Sequence, residues 1–470
     1  MKVYLINPDY MVYPDPPLAL CYLASYARKY NPHITIQILD QLPEDKILEK
    51  IKKDNPDIIG LSSASQNYYK VKKIAEQIKS ISNSILIIGG IHVTNLPNSF
   101  DNSPFDLGII GEGEKTFSLF LRDFDEHKKI NIKSLKKIKG LLLRDNNKVI
   151  NTGFPDLIEN LDDIPIPARD LLKMEYYTLP SLSGNPEHIG IMLTSRGCPY
   201  NCKFCSSTTF WKRKIRFFSA QRVADEIEIL HKKYGYNWIE IYDDLFTSNK
   251  QRLKEIIQFL REKKILGKVN FTVMGRANCF DEELAVLLKE LNVKNIYFGI
   301  ESGSPRIVEY LKDKITLDDD IRAIEISRKY GLNPGGLFMI GVPGEKEEDM
   351  EATYQFILKY LPDNYSLGQM SAFPNTPIWD CTVKKNLIKK DMYENKTRGF
   401  LEFDENFSLN TDVSKEKLRE YWIKIKSISP KKRFKITRLA DLRPRHIRKM
   451  ITPIFFKKVY YLGIKKIKQD

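Results

Sequence analysis

Cys198, Cys202 and Cys205 share one short run, Thr194-Ser195-Arg196-Gly197-Cys198-Pro199-Tyr200-Asn201-Cys202-Lys203-Phe204-Cys205, with spacing C-x3-C-x2-C. Thiolates are soft ligands that suit zinc or an iron–sulfur cluster. A closed structural zinc site takes four protein ligands. No fourth Cys or His lies inside or immediately beside this run, and His231 falls within a helical pattern. A four-iron cluster held by three thiolates keeps one iron without a protein ligand. Such a corner can bind a substrate, as the open position of a catalytic metal site does. The run therefore reads as the ligand set of an open [4Fe-4S] cluster, with zinc as the alternative.

Six cysteines among 470 residues are too few for a disulfide scaffold. Cys21, Cys279 and Cys381 are scattered and read as core residues. The opening MKVYLINPDY is too short and polar for a signal peptide, and no apolar run reaches the length of a spanning helix. The expected location is cytoplasmic, peripheral to the inner membrane surface if lipid is bound. The net charge of +15 is concentrated in one place. From Lys424 to the end, sixteen Lys and Arg face only Asp441 and Asp470, which leaves the rest near neutral.

The elements that must position the cysteines form two alternating series. VYLIN, ITIQILD, IIGLSS, ILIIGG and LGIIG read as short buried strands, with amphipathic helical stretches between them. This alternation predicts an α/β domain over residues 1–135, a doubly wound parallel sheet of Rossmann-like type. Residues 136–185 read as a linker with a hairpin (GLLLRDNNKVINT) and the extended piece Asp163-Ile164-Pro165-Ile166-Pro167. Over 186–400, IGIMLTS, WIEIYDD, VNFTVMG, NIYFGIE, GLFMIGV and YSLGQMSAF alternate with helices, which predicts a partial β/α TIM-type barrel. Function in such barrels sits at the carboxyl ends of the strands. The cysteine run follows the first of these strands. Residues 401–470 read as a basic C-terminal extension.

The run and the barrel repeats resemble the radical S-adenosylmethionine (SAM) superfamily. In that family the open iron binds the amino and carboxylate groups of SAM, whose reductive cleavage starts radical chemistry. The resemblance implies further site residues at other strand ends. Phe204 matches the aromatic expected near the adenine. Asp243 and Asp244, ending the second strand, match acidic residues near the sulfonium or the substrate. Arg276 would bind a carboxylate or ribose. Glu301 and Ser302, within Gly299-Ile300-Glu301-Ser302-Gly303, would contact ribose or the amino group, and Gly341 lies in the segment lining the adenine.

The first domain lacks the dinucleotide fingerprint G-x-G-x-x-G after its first strand, where Asn7-Pro8-Asp9 stands. Gly89-Gly90-Ile91-His92 follows the fourth strand and Gly111-Glu112-Gly113-Glu114 the fifth. Glycine at such strand ends lets the backbone approach a large flat ligand. These segments resemble the cobalamin-binding domain of one class of radical SAM enzymes, over roughly residues 1–400. The resemblance implies cobalamin contacts at Asn7, Gly89, Gly90, His92, Gly111 and Glu112. The D-x-H-x-x-G motif that supplies cobalt with a histidine is missing, so a bound cobalt is expected to have no histidine from the first loop.

The resemblance implies a cobalamin-dependent radical SAM methyltransferase that modifies an unactivated C–H position. It also implies a small-molecule or lipid-like substrate and a reduced flavodoxin- or ferredoxin-type electron donor. The alternatives are oxidative cyclisation or rearrangement with the same cofactors, and a non-catalytic iron–sulfur or zinc module for RNA or membrane. The basic, aromatic tail suits an anionic membrane better than nucleic acid, or forms a solvated end.

Overall fold

The strand-forming runs are rich in Ile, Val and Leu with few polar interruptions, the pattern of strands covered on both faces. In the computed structural model the first five, β1 (Lys2–Ile6), β2 (Thr35–Leu39), β3 (Ile58–Ser62), β4 (Ile85–Gly89) and β5 (Leu107–Ile109), are parallel in the order β2-β1-β3-β4-β5. Val3, Leu5, Ile36, Ile58 and Ile87 pack beneath the helices Leu18–Tyr30 and Gly113–His127. Tyr4, Ile6, Ile59, Leu61 and Leu86 pack beneath Glu44–Asp54 and Tyr68–Ile81. The order reverses between β1 and β3, and a crevice opens above the carboxyl ends at such a reversal. The structure describes residues 1–8, 15–40, 44–146, 148–177, 189–361, 364–396 and 403–428. The tail with its Pro430, Pro444, Pro453 and paired aromatics therefore lies outside the described residues.

The hairpin read as part of a linker is instead an extension of this sheet. β6 (Leu141–Asp145) pairs antiparallel with β5, and β7 (Lys148–Asn151) with β6. Leu141, Leu142 and Leu143 are buried, so the hairpin covers what would otherwise be an exposed edge.

The second sheet starts at β8 (Ile189–Met192). A two-residue pair, β9 (Ser195–Arg196) and β10 (Arg216–Phe217), closes the base of the cysteine loop. The sheet continues with β11 (Trp238–Ile241), β12 (Asn270–Gly275), β13 (Val293–Glu301), β14 (Asn333–Ile340) and β15 (Tyr365–Gln369). Six parallel strands, in the order β15-β14-β13-β12-β11-β8, form the half-barrel that the repeats predict. Ile239, Ile241, Ile296, Phe298, Ile300, Phe338 and Ile340 are buried against the surrounding helices. The alternate positions Glu240, Asn295, Tyr297, Leu337 and Met339 are only partly buried and line the inner wall. The barrel extends past residue 400. In the helix Lys415–Lys426, Leu418, Tyr421, Trp422 and Ile425 join the barrel core, and the Tyr365 hydroxyl donates to Ile425 O at 2.6 Å.

The two sheets share the helix Leu18–Tyr30, which is apolar on two faces. Leu20, Cys21, Ala24 and Ala27 pack on the first sheet, whereas Leu18, Tyr22 and Tyr26 belong to the barrel core. Tyr22 stacks on Phe218, ring centroids 6.0 Å apart. Arg169, wholly buried, reaches Glu226 at 2.7 Å. Residues Met1–Ile428 consequently form one compact unit.

Gly90 sits at φ 101°, and a Cβ there would lie 2.4 Å from Ser63 O. Gly153 has a similar φ of 89° but open space around it. Strain at such a backbone position is about 1–3 kcal/mol. Gly90→Ala is expected to add a backbone clash to that strain and to lower the urea midpoint clearly more than Gly153→Ala does. Equal midpoints would contradict the close approach of the two loops.

Candidate active site

The cysteine loop is fixed from below by one carboxylate. Asp243 is buried at the end of β11 and accepts from Thr194 N (2.6 Å), Thr194 Oγ1 (2.5 Å) and Ser195 Oγ (2.6 Å). Both of its oxygens are thus engaged in holding the loop. Burial raises its carboxyl, opposed by those donors. Beyond the loop base, Lys203 N donates to Leu311 O at 2.9 Å and Asn201 N to Asp313 Oδ2 at 3.1 Å. Phe204 packs against the cluster containing Ile307, Val342 and Met370. This brings the aromatic before the third cysteine beside the segment that starts at Gly341.

Cys202 is buried, and Cys198 and Cys205 are half-buried. Burial raises the Cys198 and Cys205 thiols, Cys205 to about 12, and the Asp244 carboxylate adds to the effect. Asp244 stands in the concave mouth of the barrel and accepts from Ser207 Oγ at 2.8 Å. Burial raises its own carboxyl too. Three thiolates beside a carboxylate are unfavourable unless a cationic core neutralises them, and an iron–sulfur core does so. Among the described residues no three His, Cys, Asp or Glu side chains converge on a point where a single ion could sit. Three thiolates can each take one corner iron of a four-iron cluster and leave the fourth iron open, whereas a closed structural zinc site takes four protein ligands.

Arg276, at the end of β12, is the cation of this group. Its Nη1 lies 3.5 Å from Cys202 Sγ, its guanidinium stacks 3.6 Å over the Tyr200 ring, and Nη2 donates to Asp313 O. Tyr200 also meets Cys279, its hydroxyl 2.8 Å from Sγ. Cys279 is therefore no core residue but a half-buried neighbour of the cysteine loop; Cys381 is half-buried too, and Cys21 alone of the scattered three is buried. Glu301 ends β13 at φ 72°, and burial raises its carboxyl to about 7 against the pull of Lys312 and Arg276. The Ser302 hydroxyl is fully buried, 3.0 Å from Thr353 Oγ1 and accepting from Ser304 N. Ser302 shapes the turn through these bonds.

An open cleft lies above the carboxyl ends of the first sheet. Gly89, Gly90 and Gly111 edge it on one side, and Leu193, Arg196, Phe210 and Trp211 of the barrel close it on the other. Its walls are largely apolar, including Leu5, Leu20, Leu23 and Phe117. This shape and chemistry fit a large flat cofactor such as cobalamin. No histidine is among the described residues lining the cleft. His92 is fully buried outside it, with Nδ1 3.0 Å from Ser65 Oγ and its ring 4.0 Å from that of Tyr68. Burial holds this imidazole near a pKa of about 3, so it stays neutral. Asn7 is likewise engaged, donating to Asp40 Oδ1 at 2.9 Å.

Glu112 lines the cleft, but its carboxylate is committed to the barrel. Arg196 Nη1 donates to Oε1 at 2.7 Å, and Arg216 Nη1 to Oε2 at 2.9 Å. Glu114 accepts from Arg196 Nη2 at 2.6 Å. Burial alone would raise the Glu112 carboxyl; the two guanidiniums outweigh it and lower it. Arg196, Arg216, Phe210 and Trp211 escaped the sequence reading. Arg196 stands inside the quoted motif, yet nothing in one dimension pairs it with a glutamate 84 positions away.

Residues 192–357 match the family model of the radical SAM superfamily, and residues 11–121 that of the B12 binding domain. The chain is 37% identical over 380 residues to the uncharacterized methyltransferase PH0819 of Pyrococcus horikoshii, covering 79% of this chain and 80% of that one. It is 29% identical over 454 residues to cytidylyl-2-hydroxyethylphosphonate methyltransferase of Streptomyces wedmorensis, covering 83% and 82%. The fold matches the radical SAM methyltransferase TsrM from Kitasatospora setae, solved with cobalamin and a [4Fe-4S] cluster. The TM-score is 0.69 at 19% identity, over 82% of this chain and 78% of that one. The chain belongs to the radical SAM superfamily, in its family of cobalamin-dependent methyltransferases.

The Gly341 segment holds a titratable group behind the site. Glu345 Oε2 accepts from Gly341 N (2.6 Å) and Val342 N (3.1 Å), and Oε1 has no partner among the described residues. Burial raises this carboxyl from 4.5 to about 8. The folded state therefore keeps a proton that the unfolded chain releases above pH 4.5, so its stabilising share is lost as pH rises toward 8. Glu345→Gln is expected to match the wild type near pH 5 and to become relatively more stable by pH 8.5, read by urea unfolding of the metal-free protein. Parallel pH profiles would contradict the buried neutral acid.

Proposed function

We propose that this chain transfers a methyl group to an unactivated carbon of a small molecule held at the mouth of the half-barrel. The observation that carries the reading is that the cleft above the carboxyl ends of the first sheet is walled on its other side by Leu193, Arg196, Phe210 and Trp211, at the end of the first barrel strand and on the loop that bears the three cysteines. When bound, the cluster with SAM supplies the one-electron chemistry that breaks a C–H bond, and cobalamin supplies the methyl group.

The chain's own residues bind, orient and exclude water. Cys198, Cys202 and Cys205 would hold the cluster, on a loop that Asp243 fixes to the barrel. Arg276 places positive charge beside Cys202, which favours the more negative, reduced state of a thiolate-bound centre. Glu301, whose carboxyl burial raises to about 7, is divided between neutral and charged forms near pH 7 and so can donate to or accept from a polar ligand group. Phe204 and the Gly341 segment flank one side of the same mouth. The apolar wall of Leu5, Leu23, Phe117, Phe210 and Trp211 keeps water from the second cofactor.

The inner wall carries Glu240 beside Leu337 and Met339, which suits a substrate with a polar group as well as an apolar stretch. The loop is exposed at Pro199, Asn201 and Lys203, so a reduced flavodoxin- or ferredoxin-type partner can approach the cluster there. No helix among the described residues is long and apolar enough to cross a membrane. Lipid contact through the basic tail rests on its charge pattern alone.

The test is anaerobic reconstitution with iron, sulfide and cobalamin, followed by methyl-deuterated SAM, reductant and a small-molecule extract. Mass spectrometry should find 5′-deoxyadenosine and a deuterated methyl group on an extract component. Cys202→Ala should remove both while circular dichroism is retained. Label transfer that survives Cys202→Ala would overturn the cluster assignment, and 5′-deoxyadenosine without label transfer would overturn methylation.

A further inference from the structure

We infer that Glu112 is a positioning residue that couples cobalamin binding in the cleft to the ordering of the cysteine loop. This rests on the cofactor assignments proposed above.

The two arginines it holds are cross-strand partners, Arg196 on β9 and Arg216 on β10. Everything between them is the loop that carries Cys198, Cys202, Cys205 and Trp211. Both ends of that loop are therefore clasped by one carboxylate from the other domain. The clasp is buried on every side, Glu112 at 3%, Arg196 at 7% and Arg216 at 6% exposure. Both oxygens of the Glu112 carboxylate are engaged. Glu112 Oε1 takes Arg196 Nη1 at 2.7 Å and Arg216 Nη2 at 3.1 Å, and Oε2 takes Arg216 Nη1 at 2.9 Å and Ile158 N at 2.7 Å.

The clasp forms part of the cleft wall. Tyr22, Glu112, Glu114, Arg196 and Trp211 all line the cleft. The Arg196 guanidinium lies 5.0 Å from the Tyr22 ring and 5.9 Å from that of Trp211, and Arg216 lies 5.3 Å from Trp211. A ligand that fills the cleft presses on these rings and fixes both arginines. A cluster on the three cysteines fixes the same loop from within its span. Two binding events that order one shared element assist each other reciprocally. Planar, bidentate guanidinium contacts suit this role because they transmit orientation as well as charge.

The experiment measures the dissociation constant of hydroxocobalamin, by its visible absorption in equilibrium dialysis, for cluster-loaded and iron-free protein. The wild type is expected to bind at least about fivefold more tightly with the cluster in place, the lower end of ordinary coupling. In Glu112→Gln the ratio should fall to about one. Glu112→Asp keeps the charge but shortens the reach; it should give an intermediate ratio and carries the test if the Gln variant does not fold. A wild-type ratio of one, or an unchanged ratio in both variants, overturns the coupling while leaving the cofactor assignments intact. Failure of both forms to bind hydroxocobalamin overturns the cobalamin assignment and the coupling with it.

Discussion

The carboxylate of Glu112 and the two guanidiniums of Arg196 and Arg216 set the geometry on which the rest of the site depends. An ion pair removed from water is weak evidence for net stability, because desolvation offsets much of the attraction. Its value is directional. Once the three charges are buried, leaving any one unpaired costs about 3–5 kcal/mol, so the two domains are restricted to arrangements that keep all of them satisfied. In that arrangement the carboxyl edge of the first sheet faces the cysteine loop and the end of the first barrel strand. Asp243 completes the constraint from the barrel side, so the cysteine loop is anchored to both domains within a few residues of its first cysteine.

Around this anchored loop the electrostatics are unbalanced in a consistent sense. Cys198, Cys205, Asp244 and Glu301 all have acids raised by burial, and Asp320, with no partner for either oxygen among the described residues, rises to about 7. Arg276 and Lys312 are the opposing cations. Such a site favours occupants that bring positive charge, and both a cationic metal–sulfide core and a sulfonium compound do so. Clustered perturbed groups at the carboxyl ends of barrel strands are what an active site requires.

The sequence made the strands, their parallel winding, the half-barrel and the cysteine ligands legible, because each is encoded by local pattern or by close spacing. Elements that depend on tertiary partners were not legible. The hairpin around Leu141–Leu143 looked like a linker because its only justification is an uncovered edge at β5. The helix Lys415–Lys426 merged into the basic tail because its apolar face is interrupted by lysines. Ser302, His92 and Asp243 matched positions of family motifs, yet folding turns their polar atoms to Thr353, Ser65 and the Thr194–Ser195 backbone and hydroxyls. Motif position gives the neighbourhood of a side chain; its partners decide what it does. Arg196 and Glu112 show the same limit, since each was in plain view and only the fold joins them.

The central claim is that one cleft and one loop bring an open iron–sulfur corner and a cobalt centre together. Anomalous scattering at the iron and cobalt edges, from crystals of anaerobically reconstituted protein, tests it most directly. The account predicts iron density bonded by Cys198, Cys202 and Cys205 and no other side chain. It also predicts a cobalt peak between Gly90, Gly111 and Trp211 with no histidine attached. A fourth protein ligand on the iron, or cobalt outside that cleft, would contradict it.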